Sequence, residues 1–246
     1  MEFSKPQVYI VQVSDKYYVS ESKRYLMVKF ELLSPDRIAY QAGQYISFKI
    51  NEKGERRSYS IASTTEDNHG FHILAEILEN GIGSEFLKNL EPGSKVEVLG
   101  PLGRFVVADR QSTSKLLFVA TGSGIVPIWS MINDLLINKH ETRQIRLHWG
   151  MRNEENLFFL DNLARLAEIY PNFVYDLVLS QGSGEWSLCR GHVQDCLSKD
   201  FATIDEKGMN EWVAYVCGRP DKVLAISEKL VALGMNKNDI YHEKFT

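Results

Sequence analysis

Two rhythms divide this chain. In the first half, β-branched and aromatic residues alternate with polar ones in short runs, at 8–19, 24–33, 44–50, 57–62, 71–78 and 95–99. Turn formers separate the runs: Ser34-Pro35-Asp36, residues 51–54, residues 67–70 and Pro92-Gly93. Only 84–90 has helical spacing in this half. Short strands with a single helix predict an antiparallel six-stranded β-barrel.

From Lys115 the rhythm changes. Leu116-Leu117-Phe118-Val119-Ala120 is unbroken apolar, as expected of a strand covered on both faces. A helix is predicted over 126–137, followed by strand 145–149, helix 157–169, strand 173–179, helix 192–198, strand 213–217, helix 221–233 and strand 240–243. Gly234 stands where a helix would end. This alternation predicts an α/β doubly wound parallel sheet. The polar stretch 109–114 is the expected linker, giving domains 1–109 and 110–246.

Composition narrows the classes. Hydrophobic residues make up 44% and charged residues 24%, enough for two cores. Lys and Arg number 28 against 32 Asp and Glu, a net charge of −4 with no basic stripe, which argues against a nucleic-acid-binding face. The apolar stretch 116–132 is broken by Thr121, Gly122, Ser123, Gly124 and Pro127, so no membrane span is expected. The opening MEFSKPQVYI lacks the pattern of an export signal. Cys189, Cys196 and Cys217 are odd in number and widely spaced; they read as unpaired thiols of a cytoplasmic protein. The six histidines are scattered. Even the closest pair, His69 and His72, lacks a companion set at ligand spacing, so no metal site is expected.

Three segments could carry chemistry. The first strand of the second half runs into Thr121-Gly122-Ser123-Gly124-Ile125-Val126-Pro127, where small residues at a helix start suit a dinucleotide phosphate; a tight turn without ligand is the other reading. Arg57-Ser58-Tyr59-Ser60 combines a phosphate-gripping guanidinium with a ring on the same strand face, though an ordinary edge strand alternates in the same way. In Gly81-Ile82-Gly83-Ser84, Ser84 could cap the helix that follows and free amides could meet an anion.

In this order, behind an all-β half and before an α/β half, these segments resemble the ferredoxin–NADP⁺ reductase superfamily, in the branch of flavin reductases and oxygenase reductase components. Its R-x-Y-S motif matches 57–60 and its G-x-x-S motif 81–84. The glycine-rich nicotinamide motif matches 121–127, C-G-x-P matches Cys217-Gly218-Arg219-Pro220, and E-x-F matches Glu243-Lys244-Phe245. Residues 100–105 also resemble its G-P-x-G-x-F turn. The resemblance implies that Arg57 and Ser58 meet the flavin, Tyr59 stacks on its ring and Ser60 bonds near N5. Gly83 and Ser84 would hold the pyrophosphate, while Ala75 and Ile77 border the ribityl chain. Thr121, Gly122, Ser123, Gly124, Ile125 and Pro127 would cradle the nicotinamide dinucleotide, with Gly218, Arg219 and Pro220 beside it. Cys217 would sit at the nicotinamide, and Glu243 and Phe245 would close the site.

The implied activity is hydride transfer from NADH or NADPH to FAD, and onward electron transfer to a separate acceptor such as a ferredoxin or oxygenase component. A flavin reductase releasing free reduced flavin is the second reading, and a non-catalytic flavin- or nucleotide-binding regulatory subunit the third. FAD is favoured over FMN, although the loop 64–70 offers no aromatic for adenine. Gln181, where NADP-specific relatives usually carry arginine, favours NADH; Arg152 and Arg190 are the candidate phosphate partners. Three cysteines cannot supply the four ligands of a plant-type [2Fe–2S] cluster.

Overall fold

The structure is a computed structural model describing residues 3–108 and 115–245; the predicted linker 109–114 lies outside the described residues. The strands and helix of the first half are β1 (Gln7–Tyr18), β2 (Tyr25–Ser34), β3 (Tyr45–Lys49), β4 (Arg56–Ser60), β5 (Gly70–Glu76), α1 (Ile82–Asn89) and β6 (Lys95–Leu102). The rest comprises β7 (Lys115–Thr121), α2 (Ile125–Asn133), β8 (Ile145–Met151), α3 (Leu160–Ile169), β9 (Phe173–Leu179), β10 (Cys189–Arg190), α4 (Val193–Asp200), α5 (Glu206–Met209), β11 (Trp212–Gly218), α6 (Pro220–Ala232) and β12 (Ile240–Lys244). No described helix is long and apolar enough to cross a membrane. Contacts divide the chain into two units, Met1–Asp109 with Trp129–Lys139, and Arg110–Ile128 with His140–Thr246.

In the first unit six antiparallel strands run in the order β4-β3-β6-β1-β2-β5. The ends of the sheet meet where Ile61 bridges Ile73 and the Ala62 N–H donates to the His72 carbonyl, closing the barrel. Alternation sets the inside: Tyr9, Val11 and Val13 of β1 are buried while Val8 and Ile10 face out. Phe30, Phe48 and Phe71 fill the interior with ring centroids 5.1–6.2 Å apart. Each such buried ring contributes about 2–3 kcal/mol. Sequence pattern ended the last strand at residue 99, because Gly100-Pro101 reads as a turn. Instead β6 continues and Leu102 pairs with Tyr45.

The same unit takes in the end of α2. Ser130 donates to the Ser63 carbonyl at 2.9 Å, and Thr65 donates to Asp134 at 2.7 Å. Asp134 also pairs with Lys139 at 2.8 Å. The predicted helix 126–137 is α-helical only to Asn133, and Asp134–Asn138 forms a wider π turn. Asp134 holds partners on both sides of that turn, the kind of local demand that accompanies such widening.

The second unit is a parallel sheet in the order β10-β9-β8-β7-β11-β12. The central β7 and β11 are buried along almost their whole length, which explains the unbroken apolar runs. Pro220 occupies the first turn of α6, where its missing N–H costs nothing, and Gly234 lies just past its end at φ +99°. Pattern reading missed the two-residue β10 and the four-residue α5, both too short to show a period.

Candidate functional site

Strand β4 presents Arg57 and Tyr59 on one face because they are two residues apart. Both lie against the start of α1. A Cβ at Gly83 would overlap the Tyr59 hydroxyl and crowd the Arg57 stem, so only bare backbone fits there. No side chain caps this helix. The stem of Arg57 lies beside its first turn, so free amides and an arginine are offered from one region, a combination that suits a phosphate anion. Ser84 does not cap α1 as expected: it lies within the first turn, and its Oγ accepts the Leu78 N–H at 2.9 Å, pinning the preceding loop instead. Tyr59 packs edge-on against Phe48, with centroids 5.7 Å apart. Burial pushes its hydroxyl up to about 12, against the opposing pull of the Arg57 charge, so the ring stays neutral.

The other residues expected at the flavin do not all share this face: Ser58 and Ser60 alternate with Arg57 and Tyr59 along β4 and so lie on its other side. Ser58 pairs across to Ser47 and is exposed, while Ser60 pairs with Tyr45 and is buried. Ala75 is buried within β5; Ile77 lies just beyond that strand and donates its N–H to the Arg24 carbonyl. Arg57 itself is exposed and donates to the Arg56 carbonyl at 2.8 Å, leaving further N–H groups for a ligand.

In the second unit the loop after β7 is shaped by what lies behind it. A Cβ at Gly124 would overlap the Cys217 carbonyl and the Gly218 nitrogen, so this glycine is required by the close approach of β11. The Trp149 indole donates to the Gly122 carbonyl at 3.1 Å and fixes the loop from the next strand. Nothing in the motif pointed to Trp149; its placement follows from the pairing of β7 with β8. Thr121 and Ser123 are half-buried at the mouth of the loop, whereas Ile125 and Pro127 are buried in α2.

Cys217 and Glu243 are register partners at the ends of β11 and β12. Cys217 is fully buried, and burial together with the Glu243 charge pushes its thiol well up. Burial alone brings the Glu243 carboxyl to about 7, and its Oε2 has no hydrogen-bond partner among the described residues. A buried acceptor left bare is what a ligand amide or hydroxyl would satisfy. Phe245 is tied in by its N–H, which donates to the Gly218 carbonyl at 2.9 Å. Arg219 is exposed and pairs with Asp221 at 3.2 Å.

At the ends of β8 and β9, Arg152 Nε donates to Gln181 Oε1 at 2.9 Å, and the Gln181 N–H donates to the Arg152 carbonyl at 2.7 Å. The pair is exposed and suited to a polar ligand edge. Arg190 is committed to its own loop, donating to the Gly184 and Trp186 carbonyls. One expectation is overturned: Cys189 and Cys196 are joined as a disulfide rather than lying as separate thiols. The turn through Gly191, at φ +103°, folds β10 back against α4 and sets their Cα atoms 6.5 Å apart. Linear spacing could not show that.

A family described as the oxidoreductase FAD-binding domain matches residues 11–107, and the oxidoreductase NAD-binding domain matches 118–228. A ferredoxin–NADP reductase B of Sorangium cellulosum is 30% identical over 223 residues, covering 89% of this chain and 90% of that protein. The chain belongs to the ferredoxin–NADP⁺ reductase superfamily. The reductase component DmpP of a Pseudomonas phenol 2-monooxygenase is 33% identical over 209 residues, covering 84% of this chain but 58% of that longer protein. The Amycolatopsis cytochrome P450 reductase GcoB has the same fold, with a TM-score of 0.87 at 24% identity over 98% of this chain and 70% of that one. As in the superfamily at large, the barrel is a FAD-binding domain and the parallel sheet a nicotinamide-dinucleotide-binding domain.

Proposed function

We propose that this protein is an NAD(P)H-dependent flavin oxidoreductase that passes electrons to a separate acceptor protein in the cytoplasm, in the manner of the reductase components it resembles. The observation that carries the reading is the convergence of Arg57 and Tyr59 on the uncapped, glycine-opened start of α1. When bound, FAD supplies the exchange between a two-electron hydride donor and acceptors that take electrons singly or in pairs.

The chain's own groups then have distinct tasks. Arg57 and the α1 amides bind the flavin's phosphate, and the neutral Tyr59 ring covers apolar flavin surface. The backbone at Gly122–Gly124 receives the dinucleotide, and the buried Cys217 excludes water from its reactive end. Glu243 holds a proton near neutral pH and offers its free oxygen to a ligand donor. Gln181, fixed by Arg152, favours NADH over NADPH because a glutamine gives no charge to a 2′-phosphate.

Spectra of the purified protein before and after anaerobic NADH test this. A flavin spectrum that bleaches, followed by reoxidation on adding a ferredoxin-type acceptor, supports the reading. A bound flavin that NADH leaves oxidised would instead identify a regulatory subunit. A free-flavin reductase is favoured by one feature only, the loop 64–70 without an aromatic for adenine. Colourless protein showing saturable turnover of added flavin would select it.

A further inference from the structure

Outside both cofactor regions, four charged or titratable side chains meet beside α4. His148 of β8 and Asp176 of β9 are register partners, so their side chains share a face of the sheet. Arg146 lies two residues earlier on that face, and Asp200 reaches it from the last position of α4. His148 Nε2 is 3.4 Å from Asp200 Oδ2 and 3.8 Å from Asp176 Oδ2.

The imidazole is the unusual member. Its side chain is 0% exposed, and neither ring nitrogen has a hydrogen-bond partner among the described residues. Asp200 Oδ2 is likewise buried without one; Arg146 Nη2 stands 2.9 Å away but is poorly aligned with it. Arg146 instead donates to Asp176 Oδ2 from Nε and Nη2, at 3.2 and 3.0 Å. A bare, fully buried imidazole nitrogen facing two carboxylate oxygens calls for a partner that all three can share.

A small divalent ion fits that description. Ligand atoms about 2.1 Å from a tetrahedral ion stand about 3.4 Å apart; Nε2 stands 3.4 and 3.8 Å from the two carboxylate oxygens, and the three atoms lie within 4.8 Å of one another. Two carboxylates face the nitrogen, with Arg146 against both and Lys199 acting on Asp200 as the neighbouring cations. The carboxylates keep 34% and 26% of their side-chain surface in solvent, which leaves a way in.

We propose that His148 Nε2, Asp176 Oδ2 and Asp200 Oδ2 bind one divalent transition-metal ion of the zinc class, in competition with Arg146. One nitrogen and two oxygens form a borderline donor set, suited to zinc or manganese rather than to a soft ion. Bound there, the ion ties α4 to β8 and β9. The site shares no residue with the cofactor motifs and stands or falls apart from the redox reading.

The test is calorimetric titration of chelator-treated, flavin-loaded protein with Zn²⁺, without thiol reductant so that the disulfide stays joined. One equivalent should bind, and Asp200→Asn and His148→Ala should each weaken it at least about tenfold. Arg146→Gln should tighten it, because the competing cation is gone. Circular dichroism and the flavin spectrum check that each variant is folded. If His148→Ala fails to fold, the partly exposed Asp200 and Arg146 still give opposite-signed results. No saturable binding at micromolar Zn²⁺, or an affinity indifferent to Asp200→Asn, would overturn the proposal and leave an ion-pair cluster only.

Discussion

The two cofactor regions of this protein are built in opposite ways. In the barrel, side chains make the surface: Arg57 and Tyr59 project from a strand face onto a helix start, and the strand beneath them is held by its own register. In the parallel sheet, closeness of backbone makes it. Gly124 touches the Cys217 carbonyl, Trp149 holds the Gly122 carbonyl, and Phe245 is hung from Gly218. The first kind of site can lose a side chain and keep its scaffold. In the second, site and scaffold are the same atoms.

The sharpest way to break that contrast is Gly124→Ala. The new methyl meets backbone that cannot rotate away, so the variant should lose about 1–3 kcal/mol of stability and most of its nicotinamide binding together. Thermal denaturation alongside NADH reduction kinetics would show it; a stable variant with normal kinetics would mean the loop has slack. The barrel counterpart is Tyr59→Ala. Flavin affinity should fall roughly 10–100-fold, while the melting temperature moves little because Tyr59 only partly fills the core. Loss of folding in step with flavin would erase the distinction between the two regions.

Glu243 sharpens the comparison through pH. Burial raises its carboxyl to about 7, above the ~4.3 of an unfolded glutamate. The folded state therefore holds the proton more tightly. The stability this contributes is complete below the unfolded value and is lost as pH rises through 7. Allowing for its partial contact with solvent, Glu243→Gln should flatten the pH dependence of urea stability between pH 5 and 8 by on the order of 1–2 kcal/mol. Parallel curves for the two proteins would place the proton elsewhere. The smallest effect is expected from Gln181→Arg, which also frees Arg152. The ratio of NADPH to NADH turnover should rise about tenfold, and an unchanged ratio would remove the case for NADH.

Much of this was legible in one dimension, for physical reasons. The barrel strands alternate because one face of each is inside, and the run at 116–120 is apolar because both of its faces are covered. The segments 57–60 and 121–124 stood out because they need particular residue types at fixed spacing. The misreadings have equally local causes. Ser84 was expected as a helix cap, but the helix begins at Ile82 and its hydroxyl faces Leu78. Helix 126–137 ends in a π turn at the residue, Asp134, that bonds to Thr65 of a distant loop, and β6 runs past the Gly-Pro pair on one side only, since β1 pairs with it as far as Gly100 while β3 pairs with it out to Leu102.

What the order of residues determined alone was periodicity and motif: six alternating strands, then strands and helices in turn, with short signatures marking a FAD-binding and a nicotinamide-binding domain. These depend on neighbours within a few positions, and the chain carries them openly. What tertiary structure decided was the meeting of residues that no periodicity links: Trp149 with Gly122, Cys217 with Glu243, and, across a local turn, Cys189 with Cys196. The gathering of His148, Asp176 and Asp200 belongs with them. Such meetings depend on strand register and helix placement, which arise from packing the whole core and are written in no single stretch of sequence.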